Sequence, residues 1–201
     1  IAFECGAKMI TGGSIAVKDP DLFINWIKKY SGECIILGAD TRNGKISTSG
    51  WLNDSQLDII PFIQNYITHG VTQAISTDIN VDGTLTGPSI DLYRQILSEC
   101  PGLYLIASGG VGTLNDIIEL DKNGIPAVIV GKAIYEGHIS NKDIEKIIDT
   151  LIKSLDKIGY KNKKEFVVSE DLRRKLIYSR FDDKSIKILI KEILNHLGLY
   201  S

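Results

Sequence analysis

Leu105–Gly137, LIASGGVGTLNDIIELDKNGIPAVIVGKAIYEG, carries the ends of two apolar runs, and each run stops at glycine. Leu103–Ala107 closes on Ser108-Gly109-Gly110, and Ala127–Val130 closes on Gly131-Lys132. Between them, TLNDIIELDKNG offers Thr113 as a helix N-cap and Gly124 as a terminator. Neither apolar run alternates with polar residues. A strand without alternation is buried on both faces, so the stretch reads as a strand–helix–strand unit of a parallel sheet.

The same unit recurs towards the N-terminus. Lys8–Thr11, Cys34–Ala39 and Thr72–Thr77 are further apolar runs. Asp19-Pro20 opens a helix over DLFINWIKKY that stops at Ser31-Gly32. SQLDIIPFIQNYITHG is expected to be helical from Ser55 to Gly70, with a kink at Pro61, and SIDLYRQILSEC follows Gly87-Pro88. The order is βαβαβαβαβ, with a last helix opened by Ser140.

Right-handed βα repeats give a doubly wound sheet or a (β/α) barrel. Polar and glycine residues gather at the C-terminal end of nearly every strand, where barrel enzymes place their sites: Gly12-Gly13-Ser14, Asp40, Thr77-Asp78, Ser108-Gly109-Gly110 and Gly131-Lys132. MITGGSIAVKDPDLFINWIKK and VIVGKAIYEGHISNKDIEKII also repeat the order strand, glycine, small loop, helix. Both features favour a (β/α)8 TIM-barrel type of α/β fold. The expected domains are a partial barrel over residues 1–158 and a helical extension over 159–201, where the pattern changes to two amphipathic segments.

No apolar run reaches the roughly 18–20 residues of a membrane span, and the N-terminus has no secretory pattern, so a cytoplasmic protein is expected. Cys5, Cys34 and Cys100 lack metal or disulfide spacing and read as small buried thiols. His69, His138 and His196 share no metal spacing either. More than half of the Lys and Arg lie after Leu151, but acids interrupt them, which points to solvated helices rather than a nucleic-acid or membrane patch.

Glycine-rich strand ends that lead into helices bind phosphate through backbone N–H groups and the positive helix end. Ser108, Gly109 and Gly110 with Gly131 and Lys132 form one candidate pair of cradles, and Gly13 with Ser14 forms half of another. A single such loop is explained by a tight turn; several in one chain suggest a substrate phosphorylated at both ends. Asp40 and Asp78 end apolar strands and are candidate acids or bases, Asp78 having the alternative of binding loop amides. NVDGTLTGPS, with Gly83 and Thr84, is a candidate lid or substrate-binding loop. Trp51 either stacks on a flat heterocycle or packs on a helix.

LGADTRNGKISTSGW, TDINVDGTLTGPSIDLY, IASGGVGTLNDI and VIVGKAIYEG together resemble the phosphoribosylformimino-aminoimidazole carboxamide ribotide isomerase family of histidine biosynthesis, over roughly residues 1–148. The resemblance implies a (β/α)8 barrel without metal or organic cofactor. It also implies an Amadori rearrangement, in which an acid opens the ribose ring and a base takes the proton from the adjacent carbon. Asp40 then matches the proton donor, Thr77 and Asp78 the polar pair that assists it, and Gly109, Gly110, Gly131, Lys132, Gly13 and Ser14 the phosphate loops. Ser49 stands where family members often carry Arg. The family's base lies on its first strand, and this sequence matches from just before the fourth, so strands four to eight are expected, with their open edges covered by a second copy, the tail or other residues. The sister synthase barrel, which closes the imidazole ring, and a non-catalytic assembly module are the alternatives.

Overall fold

The computed structural model describes residues 1–140, 142 and 143. The chain divides into two compact units, one from Ile1 to Val130 and one from Gly131 onward. In chain order the first unit holds β1 (Ile10–Gly12), α1 (Ser14–Lys18), α2 (Pro20–Tyr30), β2 (Ile35–Gly38), β3 (Thr41–Arg42), β4 (Lys45–Thr48) and β5 (Asn53–Asp58). It continues with α3 (Ile59–Thr68), β6 (Gln73–Thr77), α4 (Ile90–Glu99), β7 (Tyr104–Ser108), α5 (Leu114–Lys122) and β8 (Ala127–Ile129). The second unit contributes α6 (Lys132–Tyr135).

Among the described residues the parallel sheet has five strands in the order β1-β2-β6-β7-β8. Each crossover therefore sets the next strand on the same side of the last. A doubly wound sheet would reverse at a switch point, whereas steady progression is that of a (β/α)8 barrel wall. Ile75, Ile106 and Ala127 stand in register across β6, β7 and β8. With Ile36 they form one apolar face, to which Met9, Tyr104 and Ile129 add. Alternation turns Ile35, Leu37, Ala74, Leu105 and Ala107 the other way, and these are fully buried, as are Phe23, Ile63, Tyr93 and Ile96 of the helices.

Asp19 caps α2 through Leu22 N–H at 3.1 Å, with Pro20 in the first turn. Thr113 caps α5 in a reciprocal capping box with Asp116. Ser140 and Asp143 form a similar pair at the start of the last expected helix; the rest of that helix and the extension over 159–201 lie outside the described residues. Tyr66 of α3 closes the first two βα units. Its hydroxyl donates to the Ala16 carbonyl at 2.5 Å, and its ring meets Phe23 edge-on at 5.2 Å. Tyr66→Phe keeps the packing and orphans that carbonyl. A loss of about 1–1.5 kcal/mol is expected, read as a lower urea midpoint at unchanged m-value.

The structure corrects three expectations. Residues 55–58 are not helical; they belong to β5, and α3 starts at Ile59. Pro61 is therefore the third residue of α3, where no intrahelical N–H bond is required, and it has no ladder bond to break. The cysteines also differ: Cys100 is buried, Cys34 partly so, and Cys5 is exposed.

Candidate functional site

Two loops at the C-terminal ends of β2 and β6 build the site. The first is an insertion that the strand–helix alternation concealed. β3, β4 and β5 form a three-stranded antiparallel sheet directly after Asp40. Asn43 and Gly44 make its first turn with φ of 51° and 78°, the paired left-handed residues of a tight hairpin turn. That Asn-Gly pair was the signal in the sequence from which the hairpin could have been found.

At the next turn Ser49, Gly50 and Trp51 have φ of 59°, 65° and 69°. Left-handed backbone at Ser and Trp costs free energy that the surroundings must offset. Ser49 N–H donates to Ser14 Oγ at 2.8 Å, and Trp51 Nε1 donates to Asp40 Oδ2 at 2.8 Å. Trp51 is 37% exposed and tethered to the acid candidate. Ser14, a candidate phosphate ligand, supports the same loop.

The second loop runs from Asp78 to Ser89. The start of β3 holds it in place: Thr41 and Asp78 form a parallel bridge, and Ile79 N–H donates to Thr41 O at 3.0 Å. Asn80 Nδ2 also reaches Asn43 Oδ1 at 3.2 Å. Thr77 is buried in register with Ser108. Both carboxylate oxygens of Asp78 are engaged, one by Asn80 N–H at 3.0 Å and one by the Ser89 hydroxyl at 2.5 Å. One of these partners is a loop amide and the other a hydroxyl at the start of α4. Thr84 Oγ1 donates to Val81 O at 2.7 Å and so shapes the turn around Gly83.

Asp82, which sequence reasoning missed, carries the electrostatic signature instead. Its carboxyl is pushed up, first by partial loss of hydration and then by the Asp40 carboxylate, against the pull of Gly83 N–H. No spacing in the sequence pairs residues 40 and 82. Only the docking of the loop on the start of β3 does so.

A carboxyl held protonated to higher pH in the folded than in the unfolded state makes the folded state bind more protons across that interval. Stability then falls as pH rises through it. Asp82→Asn removes this loss, so urea unfolding is expected to show a higher midpoint for the variant at neutral pH. The difference should vanish below the ordinary carboxyl range.

Gly109 and Gly110 have φ of 97° and 80°. A Cβ on Gly110 would lie 2.1 Å from the Gly87 carbonyl oxygen, and Gly87 N–H donates to Gly110 O at 2.9 Å. The glycine loop after β7 is therefore locked to the loop after β6. Gly13 and Gly131 precede the short helices α1 and α6 with near-identical backbone angles, φ/ψ of −105°/−83° and −111°/−93°. The internal repeat seen in the sequence thus extends to backbone conformation. Gly131 and Lys132 belong to the second unit, where Lys132 Nζ lies 3.6 Å from Glu136.

A model of the family described as histidine biosynthesis protein matches residues 1–140. A 1-(5-phosphoribosyl)-5-((5-phosphoribosylamino)methylideneamino)imidazole-4-carboxamide isomerase of Bacteroides thetaiotaomicron is 55% identical over 144 residues, which cover 72% of this chain and 60% of the relative. Isomerases of the same name from Parabacteroides distasonis and Flavobacterium psychrophilum are 56% and 53% identical over 144 and 148 residues. These cover 72% and 74% of this chain and 60% and 61% of the relatives. The chain thus spans about three fifths of the length of the relatives it matches.

Proposed function

Because this chain belongs to the histidine biosynthesis protein family, we propose that it carries the acid side of the active site of an aldose–ketose isomerase. The substrate is a bisphosphorylated aminoimidazole carboxamide ribotide. The observation that carries the proposal is the docking of the loop that holds Asp82 on Thr41, the residue after Asp40.

Ring opening needs a proton on the ribose oxygen, and Asp40 delivers it. Asp82 is carried by the docked loop, and its carboxyl is raised by partial loss of hydration and then by the Asp40 carboxylate, which makes it a second candidate acid beside Asp40. Trp51 fixes the Asp40 carboxylate by its indole N–H and offers an exposed ring to the heterocycle. Thr77 adds a hydroxyl at the neighbouring strand end. The backbones of Ser108, Gly109 and Gly110 take one phosphate and Gly13 and Ser14 the other, while Gly131 and Lys132 of the second unit are assigned as a phosphate loop by resemblance. The base that removes the proton from the adjacent carbon is assigned by resemblance to the barrel's first strand. The names of the relatives support this substrate class.

Calorimetric titration of the chain and of Asp40→Asn with a bisphosphorylated product analogue tests the proposal. Micromolar or tighter binding by both is expected, because affinity rests on the phosphate loops. Absence of binding to the unmodified chain would sink it.

A further inference from the structure

We propose that Asp78, Ser89 and Tyr93 are positioning residues: with the Ser108 carbonyl they close a hydrogen-bonded ring that holds Asp82 opposite Asp40. The role rests on the isomerase reading.

Every side of the ring is a hydrogen bond. Asp78 N–H donates to Ser108 O at 3.2 Å, and the Tyr93 hydroxyl donates to the same oxygen at 2.6 Å. Tyr93 N–H donates to Ser89 O at 3.2 Å, and the Ser89 hydroxyl returns to Asp78 Oδ2 at 2.5 Å. The ring therefore ties the end of β6, the end of β7 and the first turn of α4. Asp82 hangs from it by one bond, its N–H donating to Asp78 O at 3.0 Å. Val81 N–H donates to the same carbonyl at 3.2 Å, which fixes the turn that aims the Asp82 side chain.

The chemistry of the members suits a fixed support. Bonds to a carboxylate are the stronger kind, and the Ser89–Asp78 bond is short and partly shielded from water. Burial, and then the nearby Asp78 carboxylate, push the Tyr93 phenol far up against the pull of its bond to Ser108, which favours its neutral, donating form. Tyr93 is also completely buried, so its ring cannot leave without opening the core. Because Ser108 starts the glycine loop, the same ring sets the carboxyl pair and the phosphate cradle at a fixed separation. A small displacement in such a constellation costs large factors in rate.

The test separates positioning from stability. Carboxyl carbons are followed by NMR against pH in the chain, with Asp82→Asn identifying the Asp82 signal, and binding of the bisphosphorylated product analogue is measured alongside. The titratable groups of the first unit that interact with the Asp82 carboxyl are Asp40 and Tyr93. In Ser89→Ala and in Tyr93→Phe the Asp82 midpoint is expected to move down, as the carboxyl regains water and leaves Asp40. Ser89→Thr, which keeps the hydroxyl, should restore it. Analogue affinity should weaken about tenfold in Ser89→Ala, the scale of one lost bond to a charged group. Loss of stability alone would leave the midpoint where it was. The proposal is overturned if Asp82 titrates in both variants as in the unmodified chain. If the unmodified chain fails to bind the analogue, the isomerase reading falls, and the titration still decides the ring.

Discussion

Gly110→Ala is expected to cost about 3 kcal/mol or more of stability and to abolish binding of the product analogue. Two independent penalties add. The residue sits at φ 80°, where a side chain with a Cβ is strained. The added carbon would also stand 2.1 Å from the Gly87 carbonyl oxygen and 2.7 Å from its carbon. That obstacle is backbone rather than the end of a flexible side chain, so it yields only if the loop after β6 lifts. Lifting it breaks the Gly87–Gly110 hydrogen bond and carries Asp82 away from Asp40. Urea unfolding together with calorimetry checks both parts; a variant of ordinary stability that still binds would refute the locked-loop geometry.

With the first-strand base present, Asp40→Asn is expected to lower isomerase turnover by about 10²–10⁴-fold while leaving analogue affinity nearly unchanged. The amide is the same size, and its oxygen still accepts the Trp51 indole N–H, so the loop should stay in place. What disappears is the ionisable group. The Asp82 carboxyl should then titrate lower, because one of the two influences that raise it has gone. Steady-state kinetics and a carboxyl titration measure the two effects separately. Undiminished turnover would remove Asp40 from the role of proton donor.

The barrel strands were legible in the sequence because burial on both faces leaves an unbroken apolar signature. IILG and YLIAS have it, and the polar residues that follow them mark the site end of the sheet. The β3–β5 sheet was hidden for the opposite reason. Its strands are short and polar, and SQLD reads as the first turn of the helix that follows it, although Asn43-Gly44 announces a hairpin. Candidate site residues adjacent to strand ends were nameable from position alone. Asp82 was not, since its place depends on a ring of bonds among residues 78, 89, 93 and 108 that no local pattern encodes. The glycines were read as phosphate cradles, and the structure adds a steric reason for Gly110 that only the approach of a second loop supplies.

The tether between Trp51 and Asp40 also makes the site optically self-reporting. The chain has two tryptophans, and the other, Trp26, lies on α2 beside Phe23. In a Trp26→Phe background all indole emission would come from the ring whose N–H rests on the acid. Any molecule that draws that ring onto itself trades a carboxylate and water for an aromatic surface, and the colour and intensity of the emission would register the exchange in real time without a label.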